Sequence, residues 1–298
     1  MAAKPSLPSY AASRGALYLE LTKPGISLFV ALSAVTGYVV AAGAGAQWLP
    51  AGLVLICTML MSGGAAALNH VVEADRDRSM RRTANRPVAA RHIEAHEASF
   101  FAWTLTICGL ALALATLPPM VATFLVLSHI SYVNIYTPLK TRTPLCTLAG
   151  ALPGSLPVLA GAAGAADGVT LAAVLLTALL FTWQMPHFMA IGWLARDDYA
   201  RARYAMLFLT EPSGGQSAAV AVQYAAAMGG CAVLLAVATS ATWLFTMVAL
   251  ATGAALTWLA IAFRRDRARE TARRLFFASL LVLPALLVTL MLEVLVLR

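Results

Sequence analysis

Charge is scarce in this sequence. Of its 298 residues only 11% are charged and 60% are hydrophobic, where a soluble domain carries about 25% charged residues. A soluble globular enzyme is therefore excluded, and so is a disordered chain, because this much apolar side chain does not stay solvated. Strand-like alternation is missing too. The apolar runs are long and continuous, so the chain reads as helical within a membrane rather than as a barrel. Cysteine offers little chemistry: Cys57, Cys108, Cys146 and Cys231 occur singly, with no CxxC pair and no Cys/His metal spacing. They are expected to be packing residues. The first 24 residues are mixed and polar, with Lys4, Pro5 and Pro8. They lack the apolar core of a secretory signal.

Nine stretches are long enough to cross about 30 Å of hydrocarbon at 1.5 Å per residue. They lie near Ile26–Ala44, Leu49–Leu68, Ala98–Leu117, Pro119–Ile135, Leu145–Ala166, Val169–Trp193, Ala218–Thr239, Ala241–Phe263 and Leu275–Leu297. Glu293 is the one formal charge inside them. The links between spans alternate between minimal turns (Gly45–Trp48, Pro118, Asp167–Gly168, Ser240) and long segments (1–25, 69–97, 136–144, 194–217, 264–274). The long segments hold 20 of the 21 Lys and Arg residues. By the positive-inside rule these segments and the N-terminus are cytoplasmic. The net charge of +8 is thus a topology signal, and nucleic acid is not implied. Chemistry is expected at the cytoplasmic face, since the other face has almost no chain to build a site. The expected architecture is an all-α integral membrane protein, one domain over 1–298, with residues 1–24 a cytoplasmic N-terminal segment.

The cytoplasmic end of the second span reads LNHVVEADRDRSMRRTANRP from Leu68 to Pro87. Asn69, Glu73 and Asp77 recur at i, i+4 and i+8, so a helix continuing past Leu68 stacks them on one face. Such a column suits Mg²⁺, which takes a few carboxylates plus waters and substrate phosphates. Arg76, Arg78, Arg81, Arg82 and Arg86 crowd the same stretch, and arginine suits bidentate phosphate contacts. The same residues also describe a salt-bridged loop whose arginines only set topology. After the fourth span, Tyr136, Lys140 and Arg142 form a second cluster. Tyr136 and Lys140 share a face if the helix survives Pro138, and the basic pair then suits a diphosphate while Tyr136 shields a developing cation. The alternative is a stop signal with an interfacial aromatic. The sixth span carries His187 after Pro186 and exits through Asp197 and Asp198. An intramembrane histidine is a candidate for metal, haem or proton chemistry, or else a structural group bonded to a carbonyl freed by Pro186. His129 shares a face with Tyr132 and Tyr136 and reads as a cavity liner or a packing residue. His70, His92 and His96 are expected to be interfacial or solvated, and Arg264–Arg274 to anchor anionic lipid.

With these residues in hand, the chain resembles the UbiA superfamily of intramembrane prenyltransferases, in the branch of the protohaem IX farnesyltransferases (haem O synthases). The acidic N-x-x-x-D-x-x-x-D motif is matched by Asn69, Glu73 and Asp77. The R-x-x-x-R-T-x-N-R-P pattern runs from Arg78 through Arg82, Thr83, Asn85 and Arg86 to Pro87. Y-x-x-x-K matches Tyr136 and Lys140, followed by Arg142 to Pro144, and W-x-x-P-H-F with D-D-Y matches Trp183, Pro186, His187, Phe188, Asp197, Asp198 and Tyr199. These elements span roughly residues 69–210, and the nine-span pattern extends the likeness to the whole chain. There are two departures: Glu73 stands where aspartate is usual, and the second D-x-x-x-D reduces to Asp197 and Asp198.

The resemblance implies a UbiA-type helical bundle around an apolar cavity open to the cytoplasmic side of a bacterial inner membrane. It implies farnesyl transfer from farnesyl diphosphate to a vinyl group of protohaem IX, a substrate rather than a cofactor, with Mg²⁺ assisting. Asn69, Glu73 and Asp77 would hold the metal, with Asp197 or Asp198 from the other side. Arg82, Arg86, Lys140 and Arg142 would neutralise the departing charge. His187 would place the haem by iron ligation or by a hydrogen bond to a propionate, with Trp183 and His129 beside it. Hand-over to a haem A synthase or oxidase assembly factor follows by analogy only. Three other readings compete: a quinone-precursor prenyltransferase, a secondary transporter using carboxylates for cation coupling, and a subunit that only presents haem.

Overall fold

Nine helices in the computed structural model are long and apolar enough to cross a membrane, among the described residues 13–165 and 168–297. Expectations for residues 1–12, for the turn at Asp167 and for Arg298 lie outside those residues. The helices are α1 (Arg14–Leu21), α2 (Pro24–Ala42), α3 (Trp48–Asp77), α4 (Ala95–Thr116), α5 (Pro119–Ile130), α6 (Thr137–Leu139), α7 (Cys146–Ala163), α8 (Leu171–Leu194), α9 (Arg196–Arg201), α10 (Leu207–Thr210), α11 (Gly215–Ala238), α12 (Trp243–Asp266) and α13 (Arg269–Leu295). No strand occurs among the described residues.

Local chemistry sets the ends of these helices. Pro24 begins α2, where a missing N–H costs nothing. Glu94 and Glu97 form a reciprocal capping box on α4, and the Thr170 hydroxyl accepts from Ala173 N–H at the start of α8. Glu293, the charge within the last span, is fully buried. Its carboxylate accepts the Thr242 backbone N–H and the Thr242 hydroxyl, the latter at 2.8 Å. It thereby satisfies the N-terminus of α12, where helix polarity favours an anion.

The long helices close a ring. Each packs on the next in the order α2, α3, α4, α5, α7, α8, α11, α12, α13, and α13 returns to α2. Helix α2 also packs along α7 inside this ring. Without a hydrophobic drive in lipid, such contacts depend on close approach of small residues. A Cβ added at Gly161 would sit 1.7 Å from the Ala34 carbonyl oxygen, and one at Gly37 would sit 2.2 Å from that of Val158. Gly161→Ala is therefore expected to destabilise the protein by about 1–3 kcal/mol, the usual cost of overpacking. Gly52→Ala, with nothing within 4 Å, is the control; thermal melts of the detergent-solubilised variants compare the two.

Two segments depart from the expected spans. Helix α3 runs 30 residues, to Asp77, so the continuation past Leu68 holds. Helix α5 gives way at Ser131–Tyr136 to a π-helical turn, then to the short α6. Pro138 reshapes the helix here without breaking it: Lys140 N–H still bonds to Tyr136 O at 3.2 Å.

Candidate active site

The three oxygen-bearing residues at the end of α3 face inward and are almost fully buried: Asn69 is 1% exposed, Glu73 5% and Asp77 1%. Each meets a cation. Lys23 Nζ donates to Asn69 Oδ1 at 2.8 Å. Lys140 Nζ donates to Glu73 Oε1 at 2.6 Å. Arg86 Nη1 lies 2.7 Å from Asp77 Oδ2 and 3.8 Å from Glu73 Oε2. The Asn69 amide also donates to Thr137 Oγ1 at 3.4 Å. Lys140 and Arg86 thus stand against two carboxylates, with Lys23 as a third basic group beside them. The ion pairs balance one another out of bulk water, and Lys23 is a basic group that an arriving anion would hold in its charged form.

The long connections hold this cluster in place. Arg78 Nε donates to Ala89 O, and Thr83 Oγ1 to Asp77 O, folding residues 78–94 back over the end of α3. This fold-back brings Arg86 to the carboxylates. It also buries His70, against the expectation of an interfacial residue: His70 is 2% exposed, on the α3 face shared with Ala67 and Ala74, which pack under Val88 and Ile93. The second connection locks to the third through Ala205 N–H and Lys140 O at 2.7 Å.

The π-helical turn positions the aromatic wall. Such turns recur at functional sites because they re-aim side chains. Here Tyr132 and Tyr136 come to 5.6 Å between ring centroids, and Lys140 Nζ lies 4.4 Å above the Tyr136 ring. Burial opposes charge on Lys140, yet Tyr136 and Glu73 more than offset it and hold the ammonium above the usual lysine range.

Sequence reasoning missed Lys23, which looked like one more N-terminal positive charge. It sits between α1 and α2 in the left-handed region, φ +47°, a conformation that costs a non-glycine residue roughly 1–2 kcal/mol. Its side chain lies at the cavity. Burial, reinforced by the Arg86 and Lys140 charges, lowers its ammonium to about 7. The only sequence signal was the T-K-P at Thr22–Pro24, where proline forces a helix start directly after the lysine.

Other expected members lie apart. Arg82 and Arg142 are exposed. Asp197 is exposed as well, and Asp198 is occupied with structure: it pairs with Arg201 and accepts the backbone N–H groups of Arg81 and Arg82 at 3.2 and 3.3 Å. Asp198 thus pins the 78–94 connection onto α9.

Behind the cluster lies a cavity of about 530 Å³, enclosed by α2, α3, α5, α7, α8 and α13, within the roughly 300–1,000 Å³ of small-molecule sites. Lys23 and Tyr136 stand at its polar end, while Phe29, Trp183 and Phe188 line its apolar depth. His187 lines it too; its Nδ1 lies 2.9 Å from Ser279 Oγ on α13 rather than at a carbonyl freed by Pro186. The Trp183 ring stacks on it at 5.2 Å. His129 reaches the cavity wall, with Nδ1 3.4 Å from Met61 O.

A closed ring of membrane helices, an apolar chamber and a buried polar cluster beside one end define an intramembrane protein with room for an apolar chain next to charged groups. The chain belongs to the UbiA prenyltransferase family, whose model matches residues 30–281, and is a prenyltransferase. A relative named protohaem IX farnesyltransferase from Salinibacter ruber is 35% identical, with 93% of this chain covering 98% of that one. Another of that name, from Opitutus terrae, is 36% identical over 93% of this chain and 94% of its own. Among solved structures, a UbiA homolog from Archaeoglobus fulgidus bound to DMAPP and Mg²⁺ superposes with TM-score 0.71 at 15% identity, covering 92% of this chain and 98% of that chain.

Proposed function

We propose that this chain transfers the farnesyl group of farnesyl diphosphate to a vinyl group of protohaem IX, giving haem O and diphosphate. The observation that carries the reading is the buried carboxylate–cation cluster joined through Lys23 and Tyr136 to an apolar cavity, in a chain whose full-length relatives bear that enzyme's name. The positive-inside pattern supports a bacterial inner-membrane protein with its N-terminus and active site facing the cytoplasm.

The oxygen-only donor set of Asn69, Glu73 and Asp77, buried and stacked along one helix face, fits Mg²⁺, which takes its remaining ligands from water and phosphate. Mg²⁺ held there would supply charge neutralisation for the departing diphosphate. Arg86 and Lys140 add fixed positive charge at the same point, where a low-dielectric wall strengthens each interaction, and Lys23 adds a third once the diphosphate draws a proton to it. Asp197 and Asp198 take no part in this set, since one is exposed and the other is bonded to Arg201 and to the Arg81 and Arg82 amides, while the exposed Arg82 and Arg142 attract the diphosphate from the cytoplasmic side. As the allylic C–O bond breaks, the Tyr132 and Tyr136 rings face the carbocation with their negative π-surfaces and keep water away. The vinyl carbon attacks that cation, and water captures the resulting haem-side cation as hydroxide while its proton departs. His187, Trp183 and His129 hold the porphyrin in the apolar depth.

Lys23→Met tests the head-group assignment. A charged hydrogen bond is worth about 1.5–3 kcal/mol, so the KM for farnesyl diphosphate is expected to rise about tenfold or more. The KM for haem should not change. The reading as a whole is tested on the purified protein in detergent, by following diphosphate release. Release that needs farnesyl diphosphate, protohaem and Mg²⁺ together supports it, and release indifferent to protohaem refutes it.

A further inference from the structure

Ser279 holds two of the aromatic groups that line the cavity. Its backbone carbonyl accepts Trp183 Nε1–H at 2.8 Å, and its hydroxyl meets His187 Nδ1 at 2.9 Å. The same hydroxyl stands 2.6 Å from Phe276 O. A carbonyl cannot donate, so this short contact is a hydrogen bond only if Ser279 spends its single proton on it. The hydroxyl then has only lone pairs to offer the imidazole, and His187 Nδ1 must be the donor. In a neutral ring that leaves Nε2 unprotonated, and Nε2 has no hydrogen-bond partner among the described residues. Ser279 is fully buried and His187 lines the cavity, so this choice of tautomer is made where water competes little.

We infer that Ser279 is a positioning residue that fixes His187 as the Nδ1–H tautomer, and that His187 therefore offers the cavity a lone pair for a metal centre rather than a proton for a carboxylate. The inference rests on the proposed reading that the cavity receives haem, and within it selects iron ligation over a hydrogen bond to a propionate. The arrangement follows the general pattern in which a metal-binding histidine donates its other N–H to a fixed acceptor, which sets the ring's orientation and basicity. Trp183 and Phe276, with centroids 5.2 and 5.0 Å from that of His187, restrain the ring further.

The test compares wild type, Ser279→Ala, Ser279→Thr and His187→Ala, each titrated with protohaem and with metal-free protoporphyrin IX. The Trp183 bond goes to the backbone carbonyl, so it survives both Ser279 changes. Loss of such a partner typically costs 10- to 100-fold in metal affinity, so Ser279→Ala is expected to bind protohaem at least tenfold more weakly, while Ser279→Thr restores binding. Metal-free protoporphyrin should bind all four proteins alike. The iron–histidine stretching band of the ferrous complex should shift in Ser279→Ala and vanish in His187→Ala. Equal losses for both porphyrins, or an unshifted band in Ser279→Ala, overturn the inference. Farnesylation by wild type is scored in the same preparations: product formed with an unshifted band removes the tautomer argument alone, whereas an intact band with no product removes the reaction.

Discussion

Asp77→Asn is expected to lower kcat by about 10²- to 10³-fold, the range seen when a single charge-stabilising group is lost at a reacting centre. Asp77 is 1% exposed and bonds Arg86 at 2.7 Å, so the isosteric amide keeps the shape of the site and removes only the charge. Two consequences separate a metal-holding role from a structural one. The Mg²⁺ concentration for half-maximal rate should rise, and excess Mg²⁺ should restore part of the activity. A variant with wild-type turnover at limiting Mg²⁺ would show that Asp77 does not hold the metal.

Lys140→Met combines two large effects that a second substitution separates. Lys140 is the 2.6 Å partner of buried Glu73, and removing one member of a buried pair costs about 3–5 kcal/mol, because an uncompensated charge stays behind. The single variant should therefore melt well below wild type and turn over at least 10²-fold more slowly. Adding Glu73→Gln removes the stranded carboxylate. The double variant should recover most of the stability and none of the rate, since both the cation facing the diphosphate and the anion facing the metal are gone. Recovery of both would mean that the pair is structural only.

What the sequence disclosed, and what it hid, follows the range of each interaction. The spans were legible because hydropathy is a property of contiguous residues. The column of Asn69, Glu73 and Asp77 was legible because helical spacing alone puts them on one face, and Tyr136 and Lys140 for the same reason. The five arginines between Arg76 and Arg86 could not be ranked by spacing. Only the fold-back of residues 78–94 sends Arg86 inward to Asp77 and leaves Arg82 outside. Lys23 joins Asn69 across 46 residues, and Ser279 reaches His187 across 92. Neither carries a local pattern that a single sequence exposes. His70 was misplaced for a related reason: a histidine beside charged residues looks interfacial until the 78–94 connection is seen to fold back over the end of α3. Asp198 looked like a free metal ligand, and its bonds to the Arg81 and Arg82 amides lie more than a hundred residues away.

The most direct test of the account is mass spectrometry of haems extracted from membranes of a host lacking its own haem O synthase, with and without this protein. The account predicts a new haem, heavier than protohaem by one farnesyl group and one hydroxyl group, which depends on the protein and is lost with Asp77→Asn. Protohaem alone, with the folded protein present in the same membranes, would contradict it.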